Sequence, residues 1–127
     1  MVDGPERTEP TSPAAPTIST HVLDAERGMP AEGVHVTLYR LDDGGQPIRI
    51  TQALTDGDGR VRDLLERPLM AGDYRLEFNL ANERVSDSAD HRFFRRVTLE
   101  LRVEDTNRSY HVPLLLSSFA MTTYRGS

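Results

Sequence analysis

The residues in this chain able to do chemistry are few in type. Tyr124, Arg125, Gly126 and Ser127 place a phenol, a guanidinium fork and a terminal carboxylate side by side. His21 and His111 sit on alternating, strand-like stretches, each opposite the apolar run: Val22 flanks the first, Tyr110 and Val112 the second. A neutral imidazole can take a proton from water, and a strand holds it more rigidly than a loop would. Arg60 closes a tight Asp-Gly-Asp-Gly turn, and its planar fork suits a flat anion while staying charged at any working pH. Together these groups could activate a water and stabilise negative charge developing on oxygen. Each also has an ordinary reading, as a structural or solvated histidine or a simple turn arginine. His35, on the outer face of its stretch, and His91, in a polar connection, have no site role.

Composition narrows the chemistry further. All 15 basic residues are arginine, and the 127-residue chain has no cysteine or lysine. Schiff-base, pyridoxal-phosphate and P-loop chemistry lack their lysine. Thiol nucleophiles, disulfides and thiolate metal sites lack their cysteine. The histidines show neither His-x-His spacing nor a carboxylate cluster, so no metal and no cofactor is expected. A net charge of -5 argues against nucleic-acid binding. The charge is uneven: 9 arginines face 17 acids before residue 91, and 6 face 3 after it. The basic last third suits an anionic small ligand or an acidic partner, or is a solvated strand face. No apolar run approaches the roughly 18 residues of a membrane span. The first residues lack the basic and apolar regions of a leader, so a cytoplasmic protein without a membrane partner is expected.

The elements that must position these residues are short strands. In 18–24, Ile18, Thr20 and Val22 alternate with Ser19, His21 and Leu23, the two-residue period of a half-buried strand. In the next strand, over 35–41, Val36 and Leu38 continue the face begun by Val34, opposite His35, Thr37 and Tyr39. Turn signals at 42–45 and 55–60 bound a strand at 47–54 and a short one after it. Tyr74, Leu76, Phe78 and Leu80 share a face; Val97, Leu99, Leu101 and Val103 share another; the last strands fall in 108–118 and 119–125. The polar stretch 81–91 lacks alternation and is expected to hold one or two helical turns. Residues 1–17, with four of the eight prolines, read as a disordered tail, leaving 18–127 as one domain. Seven or eight short strands predict an all-β sandwich.

ISTHVLDAERGMPAEGVHVTLYRL at 18–41 and YHVPLLLSSFAMTTYRGS at 110–127 resemble the two signature segments of the transthyretin-like 5-hydroxyisourate hydrolases. TDGDGRVRDLL and GDYRLEF are similar to the family's Asp-Gly-Arg turn and fifth strand, and the likeness covers 18–127. The resemblance implies a transthyretin-like sandwich of two four-stranded sheets with one short helix, assembled as a homotetramer with active sites at the interface between dimers. It implies hydrolysis of the acyl–nitrogen bond of 5-hydroxyisourate, a purine-derived substrate formed by urate oxidation. Its catalytic set maps onto His21, Arg60, His111 and Ser127, with Tyr124, Arg125 and Gly126 contacting substrate. His111 is assigned most of the base role and His21 an assisting one, although the split is reversible. Ser127 and Tyr124 are expected to shape the site, with no acyl-enzyme.

The chain also departs from the family pattern. Arg95 and Arg96 replace the Pro-Glu that commonly precedes the sixth strand, and Ser109 replaces a histidine. Ser118, Ala120, Met121 and Thr122 replace Pro, Gly, Tyr and Ser. A tryptophan often found after the second strand and a Tyr-Phe pair after the fifth are missing. Met121 puts a flexible thioether where a rigid aromatic is usual, close in sequence to the pocket. Two further readings therefore stand beside the first: a related enzyme acting on another heterocycle, and a small-molecule binding protein. Carriers of the transthyretin kind have lost the terminal Tyr-Arg-Gly-Ser and the histidines kept in this chain.

Overall fold

The computed structural model describes residues 15–81 and 93–126. These form nine strands among the described residues: β1 (Ile18–Asp24), β2 (Met29–Pro30), β3 (His35–Leu41), β4 (Pro47–Leu54), β5 (Arg60–Val61), β6 (Gly72–Asn79), β7 (Arg96–Val103), β8 (Tyr110–Leu116) and β9 (Met121–Thr123). One sheet runs β4-β3-β6-β7. The other runs β9-β8-β1-β2, with β5 also paired to β1. The two-sheet sandwich follows from alternation. Ile18, Val22 and Leu114 point inward from one sheet and meet Leu38, Leu76 and Phe78 from the other, all 0 % exposed. Each such side chain contributes about 1.5–3 kcal/mol by leaving water. Leu64 and Leu65, from the segment after β5, join the same core.

Two expectations about this architecture need correction. The second sheet has five strands, because β5 and β2 divide one side of β1 between them. Thr20 and His21 pair with Val61 and Arg60, while Leu23 and Asp24 pair with Pro30 and Met29. Val22, at the junction, donates its N–H to Gly59 O at 2.7 Å and accepts from Ala31 N at 2.9 Å. The short helix is also not found: no described residue is helical. The described start of that connection is tied to the sheet, with Leu80 N–H bonded to Arg95 O and Ala81 N–H to the Asn79 side chain. The rest of the stretch, 82–92, lies outside the described residues, as do residues 1–14 of the proline-rich segment. Thr17 is held by the sheet: its N–H bonds Ser109 Oγ, its hydroxyl bonds Asp63, and its carbonyl accepts from Tyr110 N–H.

The β1–β8 pair is parallel and runs in unbroken register from Ile18↔Tyr110 to Asp24↔Leu116. Its buried polar group is satisfied, since Thr20 Oγ1 donates to Val112 O at 2.6 Å. On the opposite side of β1, Gly59 has φ +77°. A Cβ there would stand 2.3 Å from Val22 O and 3.1 Å from Pro30 Cβ, so both conformation and space require glycine. Gly59→Ala is expected to destabilise the fold by about 2 kcal/mol or more. Gly57→Ala, with nothing within 4 Å of its Cβ, serves as the near-neutral control. Urea denaturation of both variants checks this; equal midpoints would contradict it.

Candidate active site

Parity along β1 sends Ser19 and His21 to the face of the five-stranded sheet away from the core, where both are half-buried. The parallel register sets Ser19 beside His111 and His21 beside Pro113, and the antiparallel register sets Arg60 beside His21. Neighbouring strands lie roughly 4.8 Å apart, so His21, Arg60 and His111 form one cluster on that face. The structure thus brings together three of the four residues expected to carry the chemistry; the fourth, Ser127, lies outside the described residues.

Arg60 is placed by the turn before it. The Asp56 carboxylate accepts the N–H groups of Asp58 and Arg60, each at 2.9 Å. Main-chain bonds from Gly59 N to Asp56 O and from Asp56 N to Arg60 O close the loop. The Arg60 N–H bond, above all, holds the Asp56 carboxyl below its ordinary 3.8. Among the described residues no carboxylate forms an ion pair with Arg60. Its fork is thus available to a ligand.

The two imidazoles are held differently. His21 Nε2 lies 2.9 Å from Asp58 O. A carbonyl only accepts, so Nε2 carries a proton and donates it there. His111 Nδ1 lies 2.9 Å from Ser19 Oγ. The loss of solvent lowers the His111 pKa below 6.5, and the positive charges of Arg60 and His21 lower it further. Both effects favour the neutral form of the His111 ring, the form able to accept a proton. Ser19 and the Asp58 carbonyl were not singled out from sequence. Alternation puts Ser19 on the face of His21, but only the register between β1 and β8 shows which ring it touches.

The terminal segment adds backbone. Gly126 N–H bonds His111 O at 2.7 Å in an isolated bridge. A Cβ on Gly126 would come within 3.0 Å of His111 Cδ2, so the ring packs against a main chain without a side chain. Tyr124 and Arg125 point elsewhere: with Leu99, Leu101, Tyr110 and Val112 they line a groove of about 330 Å³ between β7 and the terminal segment. The Arg125 guanidinium lies 5.9 Å from the Tyr110 ring centre. Ser127 lies outside the described residues. Among the described residues no three His, Asp or Glu side chains converge as a metal site.

Met121 does not reach the cluster. It pairs with Leu116, and its side chain packs against the core, so the thioether lies across the sheet from His21 and His111. Ser118 donates both its N–H and its hydroxyl to Glu26 Oε1, clasping the β8–β9 turn to the β1–β2 turn. The N–H half of that clasp is a bond that a proline could not make. Arg96 begins β7 in the other sheet, and Arg95 directly precedes it.

Residues 18–126 match the family described as HIUase/Transthyretin. The chain belongs to that family. The family member from Deinococcus radiodurans, a 5-hydroxyisourate hydrolase, is 43 % identical over 116 residues, covering 88 % of this chain and 97 % of its own. Among solved structures, the Klebsiella pneumoniae 5-hydroxyisourate hydrolase superposes with a TM-score of 0.74 at 30 % identity, over 88 % of this chain and 99 % of that one. Sea bream transthyretin, solved with thyroxine, superposes with a TM-score of 0.77 at 27 % identity, over 86 % and 93 %. The fold is thus shared by hydrolases and a thyroxine-binding member, and the side chains on the outer face distinguish the possible activities.

Proton NMR tests the electrostatics of that face directly. The His111 ring resonance is expected to titrate with a midpoint below 6.5. Arg60→Gln removes a positive charge beside it and is expected to raise that midpoint. A midpoint unmoved by the substitution would mean that the Arg60 charge does not reach the ring.

Proposed function

We propose that this chain hydrolyses the acyl–nitrogen bond in the six-membered ring of 5-hydroxyisourate. The observation that carries this reading is the convergence of His111, whose pKa is lowered, with His21 and with an Arg60 that has no ion-pair partner among the described residues, on the outer face of the five-stranded sheet. His111 takes a proton from water, and the resulting hydroxide attacks the ring carbonyl carbon. Arg60 stabilises the negative charge that gathers on the carbonyl oxygen as the tetrahedral species forms. When the carbon–nitrogen bond breaks, the electron pair leaves on nitrogen and the imidazolium of His111 returns its proton there. The product is the ring-opened acid and no covalent enzyme intermediate is needed. His21, with its Nε2 proton held by Asp58 O, orients the water or the ring. The core-facing position of Met121 favours the family substrate over a different heterocycle, because this departure leaves the reacting face unchanged.

The assembly proposed is a homotetramer, with copies covering the outer face of the five-stranded sheet. His21 and His111 are both only half-buried on that face within one chain. Phe119 and Tyr124, at 76 % and 56 % exposed, offer apolar surface, and β7 and β9 leave sheet edges open. In that assembly Tyr124, Arg125 and Gly126 are assigned to substrate contact and Ser127 to the catalytic set; within one chain Tyr124 and Arg125 line the groove beside β7. Light scattering is expected to give a mass about four times the 14.3 kDa of the chain; a monomer would refute the assembly.

Freshly generated 5-hydroxyisourate decays in the ultraviolet. The protein is expected to accelerate that decay well beyond the spontaneous rate. His111→Ala and Arg60→Ala are each expected to lower kcat/KM by on the order of a hundredfold or more, with circular dichroism unchanged. No acceleration by the parent protein, in an assay where a known hydrolase is active, overturns the function. Unchanged rates in both variants overturn the site.

A further inference from the structure

Three features of the molecule remain after the site is described: the groove between β7 and the terminal segment, the Glu26–Ser118 clasp, and the hydroxyl of Ser19. The groove belongs to the open edges already assigned to assembly, and the clasp joins two turns without touching the imidazoles. Ser19 is different. Its hydroxyl lies directly against the His111 ring across the parallel pair, and alternation on β1 aims it at the same face as His21.

We propose that Ser19 is a positioning residue that fixes the tautomer of His111, accepting a hydrogen bond from Nδ1–H so that the lone pair on Nε2 faces the substrate. The inference rests on the hydrolase reading above. The geometry of the ring supports it. Its Nδ1 edge is occupied by Ser19 Oγ at 2.9 Å, and its Cδ2 edge packs against the Gly126 backbone, where a Cβ would stand 3.0 Å from it. Two edges of the imidazole are thereby held, and the Nε2–Cε1 edge is left to the open face.

The direction of the hydrogen bond follows from the cycle the ring must complete. A hydroxyl can donate or accept. Were Ser19 to donate, the His111 lone pair would be Nδ1 and would be spent on that bond, leaving an N–H and no base toward the ligand. With Ser19 accepting, the same bond serves both the neutral ring and the imidazolium, because Nδ1 carries its proton in each. Proton uptake and return at Nε2 then need no rearrangement behind the ring.

The choice of a neutral hydroxyl is also informative. A carboxylate behind Nδ1 would stabilise the imidazolium and raise the pKa. On this face Arg60 from β5 and His21 from β1 bear on the ring and favour its neutral form, while Arg125 of the terminal segment turns to the Tyr110 ring. Ser19 orients the ring without opposing them. The site thus keeps its base neutral at pH 7 and still presents one defined nitrogen.

Nitrogen-15 NMR of the His111 ring in the full-length protein reads the tautomer without any substrate. The parent protein is expected to show Nδ1 protonated and Nε2 bare. Ser19→Ala is expected to show a mixture of tautomers and a kcat lower by roughly tenfold, with KM within about twofold. Loss of the acceptor also destabilises the imidazolium, so the acidic limb of the pH–rate profile should move to lower pH. Ser19→Thr, which keeps the hydroxyl, is expected to restore both readouts, and Ser19→Asp to move the acidic limb to higher pH. A parent ring protonated on Nε2, or a Ser19→Ala variant with unchanged tautomer and unchanged acidic limb, overturns the proposal. If the parent protein fails to hydrolyse 5-hydroxyisourate, the function falls while the NMR arm still decides the tautomer.

Discussion

The geometry of the reacting face depends on how closely two backbones can approach. At Gly59 the chain passes so near the Val22 carbonyl that a single methyl group would collide with it. That approach lets one strand residue serve two neighbours: the Val22 N–H takes the end of the Asp56 turn, and its carbonyl takes Ala31. Arg60 is the next residue, so its direction is inherited from that contact. A second close approach, at Gly126 over the His111 ring, does the same for the other end of the cluster. Main chain thus sets the direction of the arginine and one edge of the imidazole, with fewer torsions to lose than a side-chain scaffold would have.

Much of this was legible in the residues. Period-two alternation gave the strand faces, and so put His21 and His111 away from the apolar core before any pairing was known. The Asp-Gly-Asp-Gly-Arg sequence announced a tight turn, because its carboxylates and glycines are what such a turn consumes. The less legible features all concern pairing between distant segments. Met29 and Pro30 are too few to show a period, so their sharing of the β1 edge with Arg60 and Val61 had no signal. The partner of Ser19 depends on a parallel register. Met121 lies close to the terminal motif in sequence, yet the β8–β9 hairpin sets it opposite Leu116 and turns it inward. Nearness along the chain was a poor guide to nearness at the site.

Hydrogen-bond partners separate the two histidines more sharply than position does. They occupy the same face, but a carbonyl claims the proton of one and a hydroxyl backs the other. Desolvation and the neighbouring positive charges both oppose charging of His111. The same charges that would repel an imidazolium in the resting site are those that favour negative charge on the reacting oxygen. A resting neutral base and a stabilised oxyanion therefore come from one arrangement of arginine beside imidazole.

The pairing of β1 with β8 has a consequence for how the molecule forms. Ser19 and His111 are 92 residues apart in the chain, yet they must meet across a parallel ladder. Ladders this non-local close late and slowly, because the loop entropy is spent before the contacts repay it. Until then β1 carries an exposed apolar stripe and an unpaired edge, the kind of surface that attracts other nascent chains. The hairpins β3–β4 and β6–β7 can form locally and early, while the catalytic face is among the last surfaces to exist. The reacting face and the covering of that β1 edge thus come from the same ladder.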